Sequence, residues 1–225
     1  MSPALEMVFF DIGGVMYDDT IYARAMNTAL RALGASFTDE EFDEVYRMAR
    51  AEQAGSFRGL LARRFLGPGA DMGALEAEAS KHWAYPPDAL HDDVRPCLVA
   101  LSGRYRLGII ANQPSAVKDA MRRDGLDGYF EVWGVSHDVG LEKPDPALFK
   151  HVIEEAGVEP PRSVMVGDRL DYDVRPAKAA GMRAVWALRG EAPDDPTPGQ
   201  LAEADAAIRG LAELPAVLEA LEVTT

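Results

Sequence analysis

The sequence predicts an α/β protein, in which a parallel sheet with helices on both faces is joined to an all-α helical cap. Three observations lead to this fold class. From residue 92 onward, segments with helical spacing alternate with short apolar runs, which is typical of a parallel sheet covered on both faces. The apolar run from Leu5 to Phe10 stops at an acid and two glycines, as a buried strand that ends at a sheet edge does. About 75 residues of helical pattern then separate this run from the next strand-like run.

The helical interval, residues 17–91, is predicted to form a cap of four helices. Apolar residues recur at helical spacing from Ile21 to Leu33, and Gly34 can end that helix in the left-handed conformation. Thr38 and Glu41 form a capping box at the start of a second helix. Two shorter helices are predicted at Phe57–Leu66 and Met72–Trp83.

The remaining parts of the chain, residues 1–16 and 92–225, are predicted to form one core. After the first strand, the predicted elements are helix Asp92–Leu101, strand Tyr105–Ala111, helix Ser115–Arg123, strand Phe130–Val135, helix Pro146–Ala156, strand Ser163–Gly167, helix Asp173–Ala180 and strand Arg183–Ala187. A turn-rich loop at Asp194–Gly199 precedes a last short strand, Ala206–Ile208, and a closing helix, Leu211–Leu221. We expect any functional site to lie at the carboxyl ends of the strands.

Composition and charge restrict the classes of partner. Of the 225 residues, 48% are apolar, which is enough for a sizeable core. The formal net charge of −14 repels nucleic acids and anionic membranes, so we expect neither as a partner. The first residues lack the basic region of a secretion signal, and no apolar run approaches the ~20 residues that span a bilayer, so we expect a cytoplasmic protein.

The lone Cys97 fits an apolar helical pattern and is interpreted as core packing. The oligomeric state stays open.

Four short motifs at the ends of predicted strands carry residues suited to chemistry. They are Asp11-Ile12-Gly13-Gly14-Val15, Ala111-Asn112, Lys143-Pro144, and the segment from Gly167 to Asp173. Parallel strands end at the same sheet edge, so we expect these motifs to meet there. The last motif alone holds three aspartates within six residues, and so many acids at one edge require a cation.

The chain resembles the haloacid dehalogenase-like hydrolase superfamily. The resemblance lies in FFDIGGV, LGIIAN, GLEKPDPALF and VGDRLDYDVRPAKAAGM, which occur in family-like order and separation along essentially the whole chain. It implies a Rossmann-like core with a cap inserted after the first strand. It also implies a magnesium-dependent phosphatase that acts on a small phosphorylated metabolite through an aspartyl-phosphate intermediate.

The resemblance assigns a role to each motif residue that matches the family pattern. It implies that Asp11 is the nucleophile and that Lys143 balances the charge of both the nucleophile and the phosphate. It implies Mg²⁺ ligands at Asp11, at the backbone carbonyl of Gly13 and at Asp168, with Asp173 supporting the metal directly or through water. These are the oxygen ligands that Mg²⁺ prefers.

Two positions depart from the family pattern. Most family phosphatases carry a second aspartate two residues after the nucleophile, which protonates the leaving oxygen, and here that position is Gly13. Ala111 stands where the family usually places a Ser or Thr that binds a phosphoryl oxygen, while the neighbouring Asn112 can still offer N–H groups. We therefore expect weak or leaving-group-selective activity. The alternatives are an inactive protein that binds a phosphorylated ligand or a partner, and a 2-haloacid dehalogenase.

Several other polar residues are interpreted as structural. Asp18 and Asp19 are expected to be solvated acids of a turn, and Asp171 to begin a helix. The cluster of Arg58, Arg63 and Arg64 is either a solvated helix face or a site for the anionic tail of a substrate.

Overall fold

The computed structural model describes residues 4–223, and within them one six-stranded sheet is formed, in which every strand pairs in parallel. The strands are β1 (Met7–Phe10), β2 (Arg106–Ala111), β3 (Val132–Val135), β4 (Ser163–Gly167), β5 (Arg183–Ala187) and β6 (Ala206–Ile208). Their order across the sheet is β3-β2-β1-β4-β5-β6. The chain moves outward from β1 to β3 and then returns to the other side of β1. A crevice therefore opens at the carboxyl ends of the central strands, as at any such switch point.

Four helices between the first two strands form the cap: α1 (Thr20–Ala32), α2 (Asp39–Glu52), α3 (Phe57–Phe65) and α4 (Met72–Ala79). They share an apolar cluster of their own, in which the rings of Phe37 and Phe65 lie 4.4 Å apart. The capping box predicted at Thr38 and Glu41 is present at the start of α2. Gly34 follows α1 with φ 89°, the left-handed conformation expected of it.

The helices of the core are α5 (Val94–Ser102), α6 (Val117–Arg123), α7 (Ser136–Val139), α8 (Pro146–Ala156), α9 (Arg175–Ala179), α10 (Pro198–Leu201) and α11 (Leu214–Val223). Two apolar layers cover the sheet, one on each face. Helices α5, α6 and α11 pack in the first layer with Val8 and Phe10, and α8 and α9 pack in the second with Met7 and Phe9. This alternation buries all four residues of β1 completely, as a central parallel strand requires.

The predicted fold class is confirmed, and the differences are local. The segment expected to be a helix from Asp173 begins instead with a π-helical turn, Leu170–Val174, before α9. The short helix α7 was not predicted, and α10 extends from the segment expected to be a loop because Thr197 and Gln200 form a second capping box. Within the described residues, no helix is both long and apolar enough to cross a membrane. Domain boundaries at residues 16/17 and 91/92 stay a prediction.

Candidate active site

Four of the predicted charged side chains meet at the carboxyl edge of the sheet. One oxygen from each of Asp11, Asp168 and Asp173 lies within 4.8 Å of the other two. The ammonium of Lys143 joins this group, 2.9 Å from Asp11 Oδ1 and 2.6 Å from Asp173 Oδ1. Asp11 and Asp168 are more than 150 positions apart along the chain. They lie close together because β1 and β4 are neighbouring parallel strands.

Asp11 is held rigidly at the end of β1. Its backbone N–H donates to the carbonyl of Val166 at 2.9 Å, and its Oδ1 accepts a hydrogen bond from the N–H of Ile12 at 2.8 Å. Burial raises the pKa of Asp11 to about 6, although the ammonium of Lys143 acts in the opposite direction. Oδ1 therefore has two donors, and Oδ2 has none among the described residues.

Lys143 is almost completely buried, with 3% of its surface exposed. Burial alone would lower the pKa of its ammonium, but the carboxylates of Asp11 and Asp173 overcome this and raise it above the usual range. Asn112 fixes the backbone at this point: its Oδ1 accepts from the N–H of Lys143 at 2.7 Å, and its Nδ2 donates to the carbonyl of Lys143 at 2.8 Å. The side chain of Asn112 was expected to face a phosphate, whereas in the structure both of its polar atoms bind Lys143.

Asp168 lies against two glycines that leave room for its carboxylate. A Cβ added to Gly14 or to Gly190 would lie 2.1 Å or 2.3 Å from Asp168 Oδ2, and both glycines have positive φ, 69° and 60°. The same Oδ2 accepts a hydrogen bond from the N–H of Glu191 at 2.6 Å. Burial, followed by the charges of Asp11 and Asp173, raises the pKa of Asp168 well above its usual value.

Asp173 is delivered by the π-helical turn that follows β4. Its side chain is fully buried, and Oδ2 accepts a hydrogen bond from the N–H of Arg169 at 3.0 Å. Gly167 makes the close approach possible, because a Cβ at that position would lie 2.3 Å from the Cβ of Asp173. Each oxygen of Asp173 therefore has a donor, one from Lys143 and one from the backbone.

The charge of the cluster fits a divalent cation. Three buried carboxylates face a single ammonium, which leaves an excess of negative charge that burial makes costly. Carboxylate oxygens at this separation match the preference of Mg²⁺ for oxygen ligands. The donor set of Asp11, Asp168 and Asp173 is thus suited to the metal that the sequence analysis expects.

The two positions that depart from the family pattern have different surroundings. Ala111 ends β2 and is fully buried. Its side chain is a methyl group, which offers no hydrogen bond to the site. A Cβ added to Gly13 would lie 3.0 Å from Asp19 Oδ1 and 3.2 Å from both Tyr85 Oη and Gln113 Nε2. The space beside Gly13 is therefore already occupied by polar side chains.

Of the two acids expected to be solvated in a turn, only one behaves so. Asp18 accepts hydrogen bonds from the N–H and the hydroxyl of Thr20, at 3.0 and 2.7 Å, in an exposed turn. Asp19 is half-buried and points towards the site instead. The interpretation of Asp19 from the sequence was wrong, because spacing does not show where a turn directs each side chain.

A second group of residues, missed by the sequence analysis, joins the cap to the segment between Asp168 and Asp173. Arg169 is buried, pairs with Asp171 and with Glu191 at 2.8 Å each, and donates to the carbonyl of Gly55 in the cap. Asp171 lies in the first turn of the π-helical segment, as expected, and it also accepts a hydrogen bond from the N–H of Gly55 in the cap at 2.8 Å. Gln53 completes this cap junction: its Oε1 accepts from the N–H of Leu170 at 2.9 Å.

The other candidates from the sequence lie outside the acidic cluster. Arg58 pairs with Glu76 at 2.9 Å, while Arg63 and Arg64 are exposed, which agrees with a solvated helix face for those two. Cys97 is buried in the first apolar layer, as its interpretation as core packing predicts.

Curated relatives of this chain include two phosphatases. The chain is 35% identical to the phosphoserine phosphatase of Thermus thermophilus over 177 residues, which is 76% of this chain and 68% of the relative. It is 32% identical to the glyceraldehyde 3-phosphate phosphatase of Methanopyrus kandleri over 208 residues, or 84% and 87% of the two chains.

Solved structures of similar proteins include both a phosphatase and a dehalogenase. A HAD phosphatase from Thermococcus onnurineus is 29% identical, with a TM-score of 0.61 over 95% of this chain and 98% of the other. A 2-haloacid dehalogenase from Pseudomonas syringae is also 29% identical, with a TM-score of 0.59 over 96% and 99%. The model of one family, the haloacid dehalogenase-like hydrolases, matches residues 5–181. Because that match covers most of the chain, and all four motifs meet at one sheet edge, this protein belongs to the haloacid dehalogenase-like hydrolase family.

Proposed function

We propose that this protein is a magnesium-dependent phosphatase that hydrolyses a small phosphorylated metabolite through an aspartyl-phosphate on Asp11. One observation carries the proposal: a buried aspartate at the end of the central strand is ion-paired to a buried lysine and grouped with two more buried aspartates. The phosphatases among the relatives support the reaction class. The cytoplasmic location and the absence of nucleic-acid and membrane partners remain predictions from composition.

The residues that would hold Mg²⁺ are Asp11, Asp168 and the backbone carbonyl of Gly13, with Asp173 in support. When bound, the ion would neutralise the carboxylates and the phosphoryl oxygens, so that an anionic nucleophile can approach an anionic phosphorus. The hydrogen bond from Glu191 N–H and the glycines at 14 and 190 hold Asp168 in place for this purpose.

Asp11 would react through Oδ2, because Oδ1 is already bound by Lys143 and by the N–H of Ile12. Attack of Oδ2 on phosphorus forms the aspartyl-phosphate and expels the alcohol oxygen of the substrate. Water then attacks the phosphorus, releases inorganic phosphate and restores the carboxylate. Lys143 holds Asp11 in position through both steps, and Asn112 fixes Lys143 through its backbone.

Gly13 and Ala111 would make the reaction depend on the leaving group. Proton transfer from a positioned acid typically contributes 10² to 10⁴-fold, and Gly13 supplies none. A hydrogen bond to a charged group is worth about 1.5 to 3 kcal/mol, and Ala111 cannot donate one to a phosphoryl oxygen. Without another acid, aryl and acyl phosphates would react faster than sugar or alkyl phosphates.

Two other functions remain as alternatives. The changes at Gly13 and Ala111 favour a protein that binds a phosphorylated ligand without turnover. The similarity to a 2-haloacid dehalogenase favours attack of the same aspartate on carbon. Three buried carboxylates in one group argue against the dehalogenase, because they would repel a halocarboxylate.

Release of phosphate and of chloride, each measured with Mg²⁺ and with a chelator, separates these functions. A phosphatase releases phosphate from aryl or acyl phosphates only with Mg²⁺, and Asp11→Asn abolishes the release. Asp92→Asn, which changes an exposed acid outside the site, serves as the control variant. Chloride release that persists in the chelator would contradict the proposal, as would ligand binding with no turnover of any phosphate ester or anhydride.

A further inference from the structure

The carboxylate of Asp19 lies directly beside the Cβ position of Gly13. Its Oδ1 is 3.0 Å from the Cβ position of Gly13, closer than either Tyr85 Oη or Gln113 Nε2. A side chain on residue 13, in the loop that follows β1, would therefore meet the carboxylate of Asp19. Asp19 reaches this place from the other side, from the N-terminal end of α1 in the cap.

The carboxylate of Asp19 does not stabilise the fold through any hydrogen bond or ion pair with the described residues. It precedes α1, yet it makes no capping hydrogen bond, and no described residue gives it a hydrogen bond or an ion pair. Its neighbour Asp18 is fully engaged with Thr20. The half-buried carboxylate of Asp19 is therefore available to contact a substrate.

The other two polar groups beside Gly13 are poorly suited to proton transfer. Gln113 has an amide that neither gains nor loses a proton near neutral pH, and its Nε2 lies 3.3 Å from Tyr85 Oη. Tyr85 is a phenol, with an ordinary pKa of about 10 against about 3.9 for an aspartate. Its ring is stacked on Tyr17 with 4.4 Å between the centroids, which fixes the hydroxyl beside the site. Both residues help to define the pocket around the carboxylate of Asp19.

We infer that Asp19 is the acid and base of this hydrolase, in place of the aspartate that is missing at position 13. In the first step, Asp11 attacks phosphorus, the bond from phosphorus to the leaving oxygen breaks, and that oxygen takes the proton of the Asp19 carboxyl. In the second step, a water oxygen bonds to phosphorus, its proton passes to the Asp19 carboxylate, and the bond to Asp11 breaks. The sum is an ester and water giving an alcohol and phosphate. This inference rests on the proposed phosphatase function.

The placement of Asp19 also widens the substrate class. Alkyl and sugar phosphates, which have poor leaving groups, become substrates as well as aryl and acyl phosphates, because a proton donor is present. Asp19 belongs to the segment that leads into the cap, so the acid reaches the reacting oxygen only while the cap and the core are in the described arrangement.

The test compares Asp19→Asn with Asp18→Asn on a series of phosphate monoesters whose leaving alcohols span a wide range of pKa. We expect Asp19→Asn to lower kcat/KM, which reports only the first step, for alkyl phosphates by about 10² to 10⁴-fold. For p-nitrophenyl phosphate, whose leaving group needs no proton, the loss in kcat/KM is only a few-fold. In Asp19→Asn, a plot of log kcat/KM against the pKa of the leaving alcohol thus becomes steeper. Asp18→Asn leaves the slope unchanged, and thermal unfolding checks that both variants fold.

A second comparison keeps the inference falsifiable if Asp19→Asn unfolds. Gly13→Asp combined with Asp19→Asn restores the slope of the unchanged protein, because residue 13, in the loop after β1, then supplies the acid. Gly13→Asp alone gives no gain, because it forces two carboxylates together. Equal losses of kcat/KM for all esters in Asp19→Asn, or a gain in kcat/KM from Gly13→Asp alone, would overturn the inference. If the unchanged protein releases no phosphate from any ester or anhydride, the proposed function itself has failed.

Discussion

Substitution of Gly14 by alanine separates the cost of backbone conformation from the cost of disturbing the metal site. Gly14 has φ 69°, and a Cβ there would lie 2.1 Å from Asp168 Oδ2 and 3.0 Å from the Cα of Gly190. Gly140 has φ 72°, with nothing within 4 Å of its Cβ position. Gly140→Ala is therefore a matched control, since it has the same backbone strain and no contact with the site.

The structure predicts different losses of stability for Gly14→Ala and Gly140→Ala. The left-handed conformation costs an alanine about 1 to 2 kcal/mol, and both variants bear this cost. In Gly14→Ala, the carboxylate of Asp168 must also move, which breaks its hydrogen bond from the N–H of Glu191. A hydrogen bond to a charged group contributes about 1.5 to 3 kcal/mol. We therefore expect the free energy of unfolding to fall by about 2.5 to 5 kcal/mol in Gly14→Ala, and by about 1 to 2 kcal/mol in Gly140→Ala.

Urea unfolding at saturating Mg²⁺ and in a chelator measures the free energy of unfolding of each variant and the increase in it that Mg²⁺ causes. For the unchanged protein and for Gly140→Ala, Mg²⁺ raises the free energy of unfolding by the same amount, because the metal binds only the folded state. For Gly14→Ala, the increase is smaller, because Asp168 no longer points at the ion. Equal losses of stability in the two variants, with equal increases on addition of Mg²⁺, would refute the assignment of Asp168 to the metal.

Three further predictions concern the same cluster. Lys143→Met leaves the carboxylates of Asp11 and Asp173 buried without their cation, and we expect chemical unfolding to show a loss of about 3 to 5 kcal/mol in metal-free protein. Asn112→Ala removes both bonds to the backbone of Lys143, and we expect a loss of about 1 to 3 kcal/mol for the unpaired N–H, together with a lower kcat in the phosphatase assay. In metal-free protein, the displacement of the Asp11 pKa from 3.8 to about 6 corresponds to about 3 kcal/mol. Because folding raises the pKa of Asp11, protonation of this carboxyl stabilises the folded state below about pH 4, and that contribution is lost as the pH rises to about 6. The midpoint of unfolding should therefore fall over this pH range, and Asp11→Asn should make the fall smaller.

Much of the fold and of the acidic cluster follows from the sequence because the relevant signals are periodic or terminal. Alternation of apolar runs and helical segments requires a parallel sheet, and residues that follow such strands must share one edge. Asp11 and Asp168 are therefore brought together by topology alone, as the register of β1 against β4 shows. The capping box at Thr38 is similarly local, since two residues three positions apart define it.

What the sequence leaves open is the direction in which a side chain in a turn points. Asp18 and Asp19 are adjacent and chemically identical, yet one binds its own turn and the other faces Gly13. Asn112 has the right chemistry for a phosphate, but its amide binds the backbone of Lys143. The pairing of Arg169 with Gly55 depends on how the cap packs on the core, a long-range contact that no local pattern encodes.

The cap junction has a consequence for protein engineering. Gln53 and Gly55 bind the backbone and side chains of residues 169–171, the stretch that connects Asp168 to Asp173. A chimaera that receives a foreign helical unit to change substrate preference would lose these bonds unless the donor supplies equivalents. The loop that carries Asp168 and Asp173 would then be supported on one side only. Libraries that exchange this unit should therefore keep residues 53–55 from the recipient and place the crossover points outside them.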